Sequence, residues 1–218
     1  MTSTAHPGVV VVPGTEPAGV LRQRCRDGHL VRVVDGVYLP ADLEPWPLAR
    51  AAALRSLLRV DWVGGLATSV WCRGGPGRSP LPAGGEDRIA GDDHEIDVLA
   101  PPSVGTRPRH GVRLRLVPVA RDEVEQVHGV PVTTTVRTAA DLALWGGWRD
   151  DAALTWLWER GTDPAAVAED LTARGPVRGL PRAARVLSSV RAGRPSPLAR
   201  HPATRDVGQG LSPGPCAP

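Results

Sequence analysis

Lysine is absent from the 218-residue chain, so all 26 basic residues are arginines. This absence excludes a Walker A phosphate loop, a Schiff-base lysine and a kinase-type catalytic lysine, because each of them requires the lysine ammonium group. It also excludes a nuclease of the common carboxylate-plus-lysine type. The sequence contains no G-x-S-x-G, H-E-x-x-H or complete G-x-G-x-x-G motif, so these patterns give no sign of a hydrolase, a zinc protease or a dinucleotide-binding protein either.

Cysteines and long apolar runs are also scarce. The three cysteines, Cys25, Cys72 and Cys216, lie far apart and form no C-x-x-C pair. We therefore expect idle or buried thiols in a reducing compartment, and neither a zinc knuckle nor a disulfide framework. No apolar run approaches the ~18 residues of a membrane span, and residues 9–12 are too short for the apolar part of a signal peptide. These features favour a cytoplasmic protein.

Glycine and proline are abundant, with 25 and 23 residues, and this predicts long irregular stretches. Residues 1–18 are expected to be irregular or disordered, because three prolines prevent a continuous helix. Residues 19–45 predict a basic helix and a β-hairpin around Asp35-Gly36, and 46–192 predict a small mixed α/β region. Residues 193–218 are rich in proline and poor in apolar residues, which is typical of a disordered tail. The predicted fold class is α+β.

Two strands and several helices are predicted within 46–192. Residues 95–99 and 112–116 alternate between apolar and charged side chains, so the acids of one strand and the arginines of the other are expected to face each other on the solvent side of a short antiparallel sheet. A C-terminal helical segment follows, in which apolar residues recur at helical spacing. Its predicted helices are 136–144, 151–160, 164–174 and 181–192.

The densest group of acidic residues lies at the start of the first of these strands. It comprises Asp92, Asp93, His94, Glu95 and Asp97. Carboxylates and an imidazole can bind a divalent metal ion, and a metal-dependent nuclease using Asp93, Glu95 and Asp97 is one interpretation. The spacing matches no metal-binding template, so we favour a loop that enters a strand with a polar outer face.

Two groups of arginines suggest contact with a polyanion. The first comprises Arg22, Arg24, Arg26 and Arg32, on a short helix and the hairpin that follows it, which is the shape of the DNA-reading end of a winged helix. The alternative is a solvated helix in a small α/β cap. The second group comprises Arg178, Arg182 and Arg185, near the last predicted helix. It is either a solvated face or a secondary phosphate contact.

Three stretches resemble the AbiEi-type antitoxin-like proteins. Residues 21–38 (LRQRCRDGHLVRVVDGVY) are similar to the basic helix and "Gly-x-Leu/Trp-x-Arg-x-x-x-Gly-Val-Tyr" hairpin of that family. Residues 129–142 (GVPVTTTVRTAADL) resemble its "Gly-hydrophobic-Pro-Val-Thr-x-x-x-Arg-Thr-x-x-Asp-Leu" segment, and 178–187 (RGLPRAARVL) resemble its last helix before a linker. The resemblance covers about residues 20–192.

The resemblance implies a winged-helix DNA-binding region followed by an α/β antitoxin-like region. In type IV toxin–antitoxin systems such a protein represses its own operon and opposes a nucleotidyltransferase toxin. Many relatives continue into a very-short-patch-repair-like endonuclease domain after a "Ser-Pro-x-Glu-Ser" junction. Here Ser196-Pro197 begins that junction but the glutamate is lost, so the nuclease domain is expected to be missing. The helices that usually precede the basic helix are replaced by a proline-broken stretch, which predicts a partial winged helix-turn-helix.

The sequence thus predicts a DNA-binding, antitoxin-like transcriptional regulator without catalytic activity, metal or cofactor. Its expected partners are DNA and a nucleotidyltransferase toxin, and no membrane. The four arginines of 19–45 would contact DNA, while Leu21, Val37 and Tyr38 would hold the hairpin to the helix. Two alternatives stay open. The chain could be the remnant of a metal-dependent endonuclease fusion, or a module that binds a protein partner through 136–192 and has lost DNA binding.

Overall fold

A helix and a three-stranded sheet form the first part of the fold. The structure is a computed structural model that describes residues 10–11, 16–34, 36–43, 46–76, 96–102, 111–147 and 150–192. All pairings in the first sheet are antiparallel, and the strand order is β1-β3-β2. The predicted basic helix and hairpin are present. The elements are strand β1 (Val10–Val11), helix α1 (Ala18–Arg26), strand β2 (Leu30–Val34) and strand β3 (Val37–Pro40).

The hairpin of β2 and β3 has two buried faces. On one face, Leu30 and Tyr38 pack with Leu21 of α1. On the other face, Val37 and Leu39 belong to a larger cluster that includes side chains from the rest of the fold. Adjacent side chains of a strand point to opposite faces. Leu21 and Tyr38 therefore do join the hairpin to the helix as expected, whereas Val37 faces away from it.

Five strands form a second, mixed sheet in the order β6-β5-β4-β8-β7. Strand β5 is parallel to β6 and β4 is parallel to β8, while the β4-β5 and β7-β8 pairs are antiparallel. The α+β class is confirmed, and the sheet is larger than the short antiparallel sheet expected from the sequence. Its strands are β4 (Val63–Gly64), β5 (Ile96–Ala100), β6 (Val112–Leu116), β7 (Val124–Val127) and β8 (Val130–Thr133).

The pairing of β5 with β6 corrects two expectations. The two strands are parallel, whereas a short antiparallel sheet was expected from the sequence. Asp97 is indeed opposite Arg113, as the alternating pattern predicted. The face they share is not solvated, however, because Asp97 is completely buried. Leu99 follows on that face and packs among the helices, so the acid lies under the helical layer. Glu95 lies outside the described residues.

Helices cover both faces of the five-stranded sheet. Ile96, Val98 and Ala100 pack with helix α2 and the inner face of the hairpin. Leu99, on the opposite face, packs with side chains of α3 to α7. The sheet is therefore the middle layer, with the hairpin and α2 on one side and most helices on the other. The helices are α2 (Pro47–Leu57), α3 (Leu66–Cys72), α4 (Thr135–Trp145), α5 (Asp151–Glu159), α6 (Pro164–Ala173) and α7 (Leu180–Arg191), with a 3-10 helix at Arg121–Glu123.

The four predicted C-terminal helices are confirmed to within a residue or so at their ends. Thr134 caps α4, because its hydroxyl accepts a hydrogen bond from the Arg137 N–H at 3.3 Å. Asp163 caps α6 in the same way, accepting from the Ala165 N–H at 2.8 Å. Asp150 does not cap α5; its carboxylate accepts from the Gly147 N–H at 2.6 Å and so fixes the turn before the helix.

Candidate nucleic-acid interface

Helix α1 presents a polar face to solvent. Pro17 precedes its first turn, and Leu21 is its buried anchor, with Cys25 half-buried one turn later. Because an α-helix repeats every 3.6 residues, positions 22, 23 and 26 point away from the side that carries these two anchors. Arg22, Gln23 and Arg26 are accordingly exposed. The helix thus offers two guanidinium groups and one amide on the same surface.

Local hydrogen bonds order part of this surface. The Gln23 side-chain amide donates to Oδ1 of Asp27 at 2.8 Å, and Nη2 of Arg26 donates to Oε1 of Gln23 at 2.7 Å. Arg22 forms no hydrogen bond or ion pair within the part of the chain that the structure describes. The free guanidinium of Arg22 and the held guanidinium of Arg26 are one helical turn apart.

Arg24 and Arg32 lie on the other side of α1, near Cys25. Nη1 of Arg24 pairs with Glu16 at 3.1 Å, and both side chains are about two-fifths exposed. Arg32 is opposite Tyr38 in the hairpin. Burial raises the pKa of the Cys25 thiol, and the charges of Arg32 and Arg24 oppose that rise. The helix arginine and the hairpin arginine therefore both act electrostatically on the same thiol.

The second predicted arginine group is divided by the fold. Arg178 and Arg185 are exposed, whereas Arg182 is half-buried and its guanidinium donates to the carbonyl oxygen of Gly146, just after α4. Burial lowers the pKa of Arg182; Asp150 opposes this effect and the neighbouring Arg185 adds to it. A cation at a helix C-terminus satisfies carbonyls that have no partner in the helix. Arg182 thus holds the end of α4.

A buried charge network links α4 with α6 and the 3-10 helix. Nε of Arg137 bonds Oδ2 of Asp141 at 3.0 Å, so the pair suggested by their spacing of four residues is present. Asp141 also accepts from Nη1 of Arg174 at 2.6 Å, and Arg137 reaches Glu123 at 2.7 Å. No sequence pattern predicted these two partners. Arg174 additionally pairs with Asp170.

The pKa directions in this network follow from burial and charge. Burial raises the pKa of the Asp141 carboxyl, and Arg137 and Arg174 oppose that rise. Burial alone would also raise the pKa of Glu123, but the Ala120 N–H and Arg137 outweigh it, so the pKa lies below the usual value. Every carboxylate here is bonded to an arginine inside the fold. The arrangement therefore stabilises the helical layer.

A second polar cluster, also missed from the sequence, joins α3 to the five-stranded sheet. The Ser69 hydroxyl donates to the Thr133 carbonyl at 3.0 Å and lies 2.9 Å from the Thr138 hydroxyl. Arg73 donates to the carbonyl oxygens of Ser69 and Thr133 at 2.9 and 2.7 Å and pairs with Glu125. Ser69 is completely buried. These groups satisfy one another, as buried polar groups must.

The acidic group considered as a metal site is described only at Asp97. Nε of Arg113 and Nε of Arg115 each lie 3.8 Å from Oδ1 of Asp97, and the Arg115 guanidinium stacks over the Trp145 ring. The buried carboxylate thus balances the charge of two arginines. The remaining residues of the group, 92–95, lie outside the described residues. Within the described ranges, no three His, Cys, Asp or Glu side chains come together as metal ligands.

Among the described residues, no helix combines the length and apolar character needed to cross a membrane. No protein-family model and no curated protein matches the chain. A solved structure with a weak likeness is that of the RV2827C protein from Mycobacterium tuberculosis, with 18% identity over 78% of this chain and 70% of that chain, at a TM-score of 0.32.

Proposed function

We propose that the chain is a DNA-binding transcriptional regulator of the AbiEi antitoxin-like type, without catalytic activity. The observation that carries this proposal is the exposed face of α1, where Arg22, Gln23 and Arg26 stand side by side. As a regulator of genomic DNA, the protein would act in the cytoplasm. The antitoxin-like part of the proposal, with a nucleotidyltransferase toxin as the partner, rests on the resemblance of the three sequence motifs.

The topology around α1 supports this function. The order of elements is β1, α1, β2 and β3, and the sheet order is β1-β3-β2. In a winged helix the reading helix likewise precedes a two-stranded wing, and a strand from before that helix pairs with the second strand of the wing. The hydrophobic contact of Leu21 with Leu30 and Tyr38 keeps α1 on the hairpin. The helix is therefore supported along one side and open along the other.

The exposed side chains are suited to a DNA groove. Arginine bonds the edge of guanine and glutamine bonds that of adenine, and both side chains also bond phosphate. Helix α1 has nine residues, so its length of about 13 Å is comparable to the major-groove width of about 12 Å. We assign Arg22, Gln23 and Arg26 to the groove. Arg24, which Glu16 partly neutralises, and Arg32 on the hairpin are assigned to flanking phosphates.

The salt dependence of DNA binding tests this assignment. We expect Arg22→Ala combined with Arg26→Ala to reduce the slope of log K against log salt by about one unit per lost phosphate contact, or to abolish discrimination between sequences if the contacts are to bases. The measurement is fluorescence anisotropy with labelled DNA from upstream of the gene and with a scrambled duplex of the same composition.

Arg121→Ala, made alone and together with Arg55→Ala, supplies the control. Arg121 is exposed on the 3-10 helix, and Arg55 is exposed on α2, where its guanidinium also donates to the His128 carbonyl, so the Arg121→Ala single variant shows the effect of charge without the loss of that contact. The double control thus removes the same charge outside the proposed interface. Circular dichroism shows whether each variant is folded. If both double variants change the slope and the discrimination equally, overall charge explains the binding and the assignment to α1 is wrong.

A further inference from the structure

Helix α7 has a buried apolar face and an exposed basic face. Ala183, Val186 and Leu187 are buried in the helical layer. The helix contains no aspartate or glutamate. Arg178, in the turn before it, and Arg185 and Arg191, within it, are all exposed. The outward surface of α7 therefore carries positive charge that no acid of the same helix balances.

Among the described residues, neither Asp170 nor the exposed Glu169 of the neighbouring helix α6 forms an ion pair with these arginines. Arg178, Arg185 and Arg191 form no ion pair with any residue in the described ranges. On α6, which packs against α7, Asp170 is already paired with Arg174. Arg182, the remaining arginine of α7, is engaged with the Gly146 carbonyl. Three guanidinium groups are thus available to an external anion.

Their spacing leaves a smooth strip between them. At about 100° per residue, Arg185 and Arg191 lie roughly 120° apart around the helix axis and about 9 Å apart along it. Ser188, which lies between them, and Ala184, which precedes Arg185 on the same side of the helix, are exposed and have small side chains. A linear polyanion could therefore approach the helix closely while an arginine reaches it from each side.

We propose that this face of α7 is a second nucleic-acid contact, which binds the phosphate backbone without reading sequence. This inference rests on the proposed DNA-binding function and adds a site to it. Arg178, Arg185 and Arg191 each contact a phosphate. Arg182 contributes by holding α4 and α7 together, and it does not touch the DNA.

The surface chemistry favours nucleic acid over a membrane or a protein partner. A helix that lies in a membrane surface needs large apolar side chains on its bound face. The exposed large apolar side chains of the described residues are Val20, Trp46, Leu48, Val60 and Leu116, and none is on α7. Protein interfaces are usually centred on aromatic or large aliphatic side chains. The outward face of α7 has neither.

The test compares Arg185→Ala/Arg191→Ala with Arg185→Lys/Arg191→Lys in the full chain. The probe is a labelled scrambled duplex of about 20 base pairs, roughly two helical turns. We expect the alanine variant to lose about two units of salt slope, and roughly tenfold in affinity per contact at about 0.1 M salt. The lysine variant, which keeps the charge, should retain most of the slope. Both replaced side chains are exposed, so circular dichroism should be unchanged.

The outcomes separate this inference from the proposed function. If the α7 alanine variant binds the scrambled duplex as well as the parent while Arg22→Ala/Arg26→Ala does not, the α7 site is refuted and the α1 site stands. If only the α7 variant loses binding, the α7 contact is supported and the role of α1 is refuted. Binding to phosphatidylserine vesicles or to polyglutamate, lost in the α7 variant while DNA binding is kept, would overturn the inference in favour of those partners.

Discussion

Asp141 shows what a completely buried carboxylate needs from its surroundings. Both of its oxygens accept from Nε of Arg137, at 3.1 and 3.0 Å, and Oδ1 also accepts from Nη1 of Arg174 at 2.6 Å. Moving charges out of water is costly, and the attraction between them compensates only when each is hydrogen-bonded. Removing one of the two arginines leaves the buried carboxylate of Asp141 without one of its partners. Losing either arginine should therefore destabilise the fold far more than losing an exposed arginine such as Arg121.

Glu123, at the edge of this network, gives a prediction about pH. Its folded-state pKa is lowered relative to the ordinary value of 4.5. Its contribution to stability is thus fully present above that ordinary pKa, and it is lost as the pH falls through the lower folded-state value. We expect the difference in unfolding free energy between the parent and Glu123→Gln to shrink as the pH is lowered below about 4.5.

Urea unfolding at a series of pH values measures this difference. Asp122→Asn is the matched control, because it removes the neighbouring, exposed carboxylate. A difference between the parent and Glu123→Gln that stays constant across the acid range would contradict the assigned role of the Arg137 and Ala120 contacts.

The same network shows how far single residues could be predicted. Arg137 and Asp141 are four apart on a predicted helix, so their pairing followed from helix geometry alone. Arg174 is 33 residues from Asp141, and Glu123 is 14 residues from Arg137. No periodic pattern connects residues at such separations, because the packing of α6 and the 3-10 helix against α4 brings them together. The pair within α4 was therefore predictable, whereas the ion pairs between α4 and the other elements were not.

At the scale of elements, turn residues and the alternation of apolar and charged residues predicted strands reliably where the pattern was strong. The hairpin of β2 and β3 and the existence of strands around Asp97 and Arg113 were predicted correctly, but the antiparallel direction and the exposed face of those two strands were not. Alternation shows that a strand has two unlike faces, and it does not show which of them a helical layer will cover. The β7-β8 hairpin was not predicted, because its turn, His128-Gly129, lacks the usual asparagine or aspartate.

That turn gives a prediction about stability. His128 and Gly129 have φ values of +50° and +74°, the left-handed region that suits Asn-Gly. The His128 side chain is exposed, and its carbonyl accepts a hydrogen bond from Arg55 at 2.6 Å. Asparagine enters this region more readily than histidine. We expect His128→Asn to raise the free energy of unfolding by about 0.5 kcal/mol.

Gly129→Ala is the companion variant. Position 129 needs a positive φ, which alanine adopts at a cost, and the added Cβ would lie 2.6 Å from Nη2 of Arg55. We expect it to lower the free energy of unfolding by about 1 kcal/mol or more. Chemical denaturation monitored by circular dichroism measures both variants. A destabilising His128→Asn would mean that the histidine ring makes a contribution that the turn geometry does not explain.

For the whole molecule, the hairpin decides whether 19–45 behaves as a unit of its own. It shares one face with α1, through Leu21, Leu30 and Tyr38, and the other with the large cluster that contains Leu39, Leu54 and Trp62. A separate DNA-binding domain would keep its own core. Here the hairpin contributes to two cores, so we expect the hairpin to unfold together with 46–192, and α1 to be attached less firmly than the hairpin.

Leu39→Ala and Leu21→Ala distinguish the two attachments. All seven tryptophans lie between residues 46 and 158, so their fluorescence reports on the larger part of the chain. Leu39 is completely buried in its cluster, and we expect Leu39→Ala to lower the free energy of that tryptophan transition by about 2–5 kcal/mol. Leu21→Ala should change the free energy of the tryptophan transition much less. It should weaken DNA binding, because it weakens the packing of α1 against the hairpin. If Leu39→Ala leaves the tryptophan transition unchanged, the hairpin folds independently of 46–192. In that case the arginines of α1 belong to a separate domain that is joined to the rest only by the polypeptide chain.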